Sequence, residues 1–148
     1  MLKKLSLILL AVLLAALCAC ANNTQEPFDA EAAFARILSE VKFAGEMDDA
    51  SGYAEYTIGD LPEGAACKIY MVGGACADHA MLFTAANEAD IASIEQMVKT
   101  YLDSLKDEAM LYEPEELPKL ENAVFHRNGT SLIVCVTEDS ATVNSILN

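Results

Sequence analysis

The stretch Ala123-Val124-Phe125-His126-Arg127-Asn128-Gly129-Thr130-Ser131-Leu132-Ile133-Val134-Cys135-Val136-Thr137 decides the fold. Asn128-Gly129 suits the positive backbone angles of a tight hairpin turn, so Ala123 to Arg127 and Ser131 to Thr137 read as its two strands. Leu132 to Val136 is apolar at every position, as in an inner strand buried on both faces. Alternation along the first strand sets Phe125 and His126 on opposite faces.

Working backward, a second hairpin precedes this one. Cys67 to Val72 and His79 to Thr84 are apolar-rich strands, and Gly73-Gly74-Ala75 forms part of their looser connection. Between the hairpins, Asn87-Glu88-Ala89-Asp90 has the form of a helix cap, and Ile91, Ile94, Val98, Tyr101, Leu102 and Leu105 make the longest helical stripe of the chain. That helix should end near Tyr112, because Pro114 and Pro118 bound a segment that cannot continue it. Farther upstream, Asp29 can cap a helix in which Phe34, Ile37, Leu38 and Val41 share one face. A loop through Gly45, Asp48, Asp49, Ser51 and Gly52 leads to a short piece, Tyr53 to Ile58, whose order the pattern leaves open. Beyond the last strand, Asp139 can cap a closing helix carrying Val143, Ile146 and Leu147.

This order predicts an α+β domain: a four-stranded, mainly antiparallel sheet built from two hairpins, with a long helix and shorter terminal helices packed on one face. Residues 28–148 suffice for one compact domain and are too few for two. No repeat of 20 to 50 residues occurs.

The first 20 residues differ in kind. Lys3 and Lys4 precede an apolar run from Leu5 to Leu17, and Leu17-Cys18-Ala19-Cys20 follows. A basic start and a short apolar core make an export signal. The core falls short of the ~20 residues that span a bilayer, which argues against a retained anchor helix. Lipid attachment in thioether linkage needs a thiol, and the residue before the cut must be small. Ala19 before Cys20 meets that requirement, whereas cutting before Cys18 would place bulky Leu17 at the cut. Residues 1–19 therefore read as a lipoprotein signal peptide, Cys20 as the lipidation site, and residues 20–27 as a polar tether reaching at most ~23 Å at ~3.3 Å per residue. Acyl chains at ~0.8 kcal/mol per buried methylene hold such a protein on the extracytoplasmic face of the cell membrane without a basic patch.

The chain is acidic, with 9 Lys+Arg against 23 Asp+Glu and a net charge of −14. Loss of residues 1–19 removes two lysines and no acid, which leaves 7 against 23, or −16. Such a surface repels phosphate backbones, so nucleic acid is not an expected partner. An envelope protein or a cationic ligand is compatible with it.

Taken together, the lipid-attachment start, the Phe34 to Val41 helix, the Ile69 to Phe83 strand pair, the long helix from Asp90, Tyr112-Glu113-Pro114, Leu117-Pro118-Lys119-Leu120-Glu121-Asn122-Ala123 and the Gly129 hairpin resemble a family of small lipoproteins from Firmicutes. That family is known only as a domain of unknown function, numbered forty-three fifty-eight. The resemblance covers nearly the whole mature chain and implies location and fold, with no catalytic or ligand residue to carry over.

Candidate chemistry centres on cysteine and histidine. With Cys20 lipidated, Cys67, Cys76 and Cys135 remain, an odd number that allows one disulfide at most. Cys67 starts a strand while Cys76 lies in its connection, so a bridge between them needs a bent loop. Cys67 and Cys135 are expected to be buried and unpaired. Cys76-Ala77-Asp78-His79 has zinc-ligand spacing that Cys67, His126 or Cys135 could complete, but no second close pair mirrors it. Asp48-Asp49 and Glu115-Glu116 lack the alternation of a calcium loop. Cys76 with His79 is also the one candidate thiol–base pair, and Gly-x-Ser-x-Gly, Walker and dinucleotide loops are missing. The expectation is a lipid-anchored binding or accessory module that is not an enzyme and has no cofactor. Its alternatives are a thiol- or metal-dependent enzyme centred on Cys76 and His79, and a structural spacer. The enzyme requires those two side chains to converge in a cleft.

Overall fold

The computed structural model describes residues 27–148. The signal segment, Cys20 and most of the tether lie outside the described residues. Helix α1 spans Ala30–Glu40 and is followed by strand β1, Met47–Asp49. A 3-10 turn, Ser51–Tyr53, runs into a one-turn helix α2, Ala54–Thr57. Strands β2, Ala66–Val72, and β3, His79–Thr84, come next. Helix α3 covers Glu88–Tyr112 and the short α4 covers Leu117–Glu121. Strands β4, Val124–Asn128, and β5, Ser131–Val136, lead to the closing helix α5, Ser140–Leu147.

The domain is α+β, and its single sheet is antiparallel with the order β1-β2-β3-β5-β4. Both expected hairpins form, and β3 joins β5 at the centre, where His79 faces Val136 and Thr84 faces Ser131. Two expectations need correction. The sheet has five strands, because Met47–Asp49 adds to the outer edge of β2. A three-residue strand with two aspartates carries almost no strand pattern, and a short charged strand is well suited to an edge. Helices also cover both faces instead of one. Ile69, Met81, Phe83, Leu132, Val134 and Val136 pack under α3 and α4, whereas Ala80, Leu82, Ile133 and Cys135 pack against α1 and α5. The cause is legible in β3 and β5, whose consecutive apolar residues project to both sides of the pleat and would leave one set wet under a single helical layer.

Local chemistry fixes the element ends. Asp29 caps α1 by accepting from the Ala32 amide at 3.0 Å, and Asn87 caps α3 by accepting from the Asp90 amide at 3.0 Å. Asp139 caps α5 through Thr142, whose hydroxyl donates to its carboxylate at 2.8 Å. Helix α3 ends at Tyr112, as its flanking prolines require. The segment after it is a short helix with Pro118 in its first turn, a position where a missing amide hydrogen does no harm. At the β4–β5 turn, Asn128 belongs to the strand and pairs with Ser131, so Gly129 and Thr130 form the tip. Only Gly129 has positive φ, at 54°, which is the pattern of a turn with glycine at its first central position.

Candidate functional site

The connection from β2 to β3 is drawn tight by a hydrogen bond from the Val72 amide to the Asp78 carbonyl at 3.1 Å, and Gly74 turns through φ +81°. This geometry delivers Cys76, Asp78 and His79 to one end of the sheet, beside the end of α3 and the start of α4. Lys119 reaches into the same place from α4. Its ammonium donates to Asp78 Oδ1 and to Glu116 Oε2, both at 2.9 Å, and lies 4.0 Å from Cys76 Sγ. Lys119 is only 6% exposed and Asp78 only 1%, so this is a buried ion pair. Its acids are further occupied: Asp78 Oδ2 accepts from the Ala44 amide at 2.7 Å, and Glu116 Oε2 accepts from the Ala77 amide at 2.6 Å. The cluster therefore ties together the segment after α1, the β2–β3 connection and α4.

The charges in the cluster are mutually stabilised. Burial pulls the Lys119 proton affinity down, but hydrogen bonds and charge from Asp78 and Glu116 outweigh it and leave the ammonium held well above the ordinary lysine value. Burial pushes Glu116 up, and the Ala77 amide and Lys119 reverse that, leaving its carboxyl below the usual range. For Cys76, burial dominates and the thiol is pushed up despite the nearby ammonium, so the uncharged form prevails at neutral pH.

His79, the residue after Asp78, opens β3 and points toward α3. Its Nδ1 lies 2.8 Å from the Ala77 carbonyl oxygen and its Nε2 lies 3.0 Å from the Tyr101 hydroxyl. A carbonyl only accepts, so Nδ1 carries the hydrogen and Nε2 accepts from Tyr101 in the neutral ring. Burial lowers the His79 pKa in spite of the Ala77 contact and the Asp78 charge, which keeps the ring neutral. Tyr101 in turn is raised, by burial first and then by Glu108.

Cys76 and His79 both line a cleft of about 350 Å³. Its apolar side is Leu105, Ala109 and Leu120, and its acids are Glu108, Glu113 and Glu116. A second hollow, of about 380 Å³, has Asp78 and Lys119 in its lining together with Lys42 and Asp139. The fold thus places Cys76 and His79 in one cleft, as the enzyme alternative requires, but no hydrogen bond joins them. Both ring nitrogens of His79 are committed elsewhere, and the sulfur's neighbour is Lys119.

The alternative zinc set, Cys76 and His79 completed by Cys67, His126 or Cys135, does not assemble among the described residues. Cys135 is buried on the α1/α5 face of the sheet, His126 stacks on Phe28 at 4.7 Å, and Cys67 packs on the α3 face. The potential ligand atoms that do gather, within 4.8 Å of one another, belong to Cys76, Asp78 and Glu116, and the Lys119 ammonium already supplies their cation. Cys67, Cys76 and Cys135 are free thiols; with the sheet between Cys67 and Cys135, these two have no route to a bridge. Asp49 accepts from the Ser51 amide and hydroxyl, a local turn contact.

Sequence reading missed Lys119 as the hub. The available signal was a lysine between Pro118 and Leu120, three residues after Glu116 on a helix, where an apolar setting and an i, i+3 acid point inward together. No protein-family model, curated protein or solved structure matches this chain. No helix among the described residues is long and apolar enough to cross a membrane.

Proposed function

We propose that this chain is a lipoprotein anchored through Cys20 on the extracytoplasmic face of the cell membrane, where it binds or assists an envelope component and carries out no chemistry of its own. The observation that carries the reading is Leu17-Cys18-Ala19-Cys20 at the end of a lysine-led apolar core. The resemblance to the lipoprotein family supports the same location and contributes no residue role. The Cys76–His79 cleft is the proposed binding site, and Glu108 and Glu113 in its lining favour a cationic group over an anionic one, Glu116 being neutralised by Lys119. A cleft of this size counts against a bare spacer.

A second reading, a thiol enzyme, draws on the presence of Cys76 and His79 in that same cleft. Against it stand the raised Cys76 pKa and the engagement of both His79 nitrogens, since an activated nucleophile needs a lowered pKa or a base within reach. The anchoring is tested by intact-mass analysis of protein purified from native membranes. A chain beginning at residue 20 with an acylated thioether is expected, and Cys20→Ser should remain unprocessed while Cys18→Ser matures normally. An unmodified amino terminus, or recovery from cytosol, would refute the proposal.

A further inference from the structure

The last turn of α3 presents three consecutive large apolar side chains to solvent: Met110 is 57% exposed, Leu111 75% and Tyr112 72%. The same turn also contradicts its own helix electrostatically. A helix C-terminus carries partial negative charge and favours cations, yet this one has no basic residue in its last turn and is flanked by Glu108 and Glu113. The nearby lysines do not relieve it, because Lys106 is paired with Asp103 at 2.9 Å and Lys119 is buried among Asp78 and Glu116. Glu108 and Glu113 open onto the cleft described above. Tyr112 lies four residues beyond Glu108 and seven beyond Leu105, so helical spacing places it on their face, at the cleft's rim.

Exposed apolar surface and unneutralised acid at one helix end have a common complement. We infer, building on the binding role proposed above, that the end of α3 and the adjoining cleft form a docking surface for a peptide segment of an envelope protein in which lysine or arginine alternates with apolar residues. A basic side chain enters between Glu108 and Glu113, with Tyr112 offering its ring to the cation, and a neighbouring apolar residue covers Leu111, three residues beyond Glu108 on the same face. An anionic lipid surface has the wrong charge for this site, and so does a second copy of this acidic chain.

The test uses the mature lipidated protein in nanodiscs of phosphatidylcholine, with empty nanodiscs as the blank. Fluorescence anisotropy follows three labelled peptides that alternate lysine with leucine, lysine with serine, and glutamate with leucine. The lysine–leucine peptide should bind, the lysine–serine peptide about tenfold more weakly, and the glutamate–leucine peptide not at all. Glu108→Gln with Glu113→Gln, and separately Leu111→Ser with Tyr112→Ser, should each weaken the lysine–leucine peptide about tenfold. An unchanged thermal melt of both variants establishes that they are folded. Equal binding by both folded variants and the unaltered protein, equal binding of basic and acidic peptides, or no binding of the lysine–leucine peptide would overturn the inference. None of these outcomes bears on acylation at residue 20, which intact mass decides separately.

Discussion

Replacing Lys119 by methionine keeps an unbranched stem one atom shorter and deletes the ammonium with its hydrogen bonds to Asp78 and Glu116. At 2.9 Å the attraction between the ammonium and Asp78 is about 6 kcal/mol for an effective dielectric near 20, and the contact with Glu116 adds to it. Much of that is offset because the variant no longer has to strip water from an ammonium that is 6% exposed. What remains is the penalty of leaving Asp78, 1% exposed, with only the Ala44 amide for company. Breaking a buried pair in this way costs about 3 to 5 kcal/mol. For a domain of this size the midpoint of thermal unfolding should fall by roughly 10 to 20 °C. Urea unfolding is the primary assay, and a fall in midpoint at constant m-value would place the loss in stability alone. Asp78→Asn retains an acceptor for Ala44, so Lys119→Met with Asp78→Asn should be less damaging than the sum of the single changes by about 1 to 3 kcal/mol. A loss below about 1 kcal/mol for Lys119→Met, or strict additivity in the double variant, would refute the idea that the pair ties this end of the sheet together.

Two further expectations concern the cleft. His79 is neutral when folded, with a pKa below its ordinary value, so between that value and the unfolded pKa of about 6.5 the unfolded chain binds a proton that the folded chain does not. Stability should therefore decline as the pH falls from about 7 toward 5, by up to ~1.4 kcal/mol per unit, and His79→Gln should flatten that slope; an identical slope in the variant would exclude His79 as its source. For the thiols, Cys76 should react slowly with iodoacetamide at neutral pH and accelerate as pH rises, while Cys135, pushed up to about 12 by burial and by Asp78 and Asp139, should react only on unfolding. Rapid alkylation of Cys76 near pH 6 would favour the thiol-enzyme reading.

Elements whose stability is local could be read from the chain, and those decided by distant partners could not. Asp29, Asn87 and Asp139 announced three helix starts, because a capping side chain bonds within its own first turn. The strands β3 and β5 were plain from their apolar runs, although the same runs also implied two helical layers. Strand β1 was invisible, since Met47, Asp48 and Asp49 become a strand only by pairing with Val72, Met71 and Tyr70. At the site, the sequence offered Cys76 and His79 as a candidate pair and the fold sets both in one cleft, but their partners come from elsewhere: Tyr101 lies 22 residues from His79, and Lys119 lies 41 from Asp78. Sequence distance carries no information about such meetings, so the chain advertised a cysteine–histidine pair where the fold builds a lysine–carboxylate cluster.

The central position of β3 also shapes how the molecule must be made. Its partner on one side, β2, is adjacent in sequence, but its partner on the other, β5, lies 47 to 57 residues later. During synthesis the first hairpin can close early while the far edge of β3, apolar on both faces, waits with open backbone groups for residues 131–136 to emerge. That interval is the period of greatest risk for wrong strand pairing, because the open edge of β3 offers its backbone groups to any other extended segment.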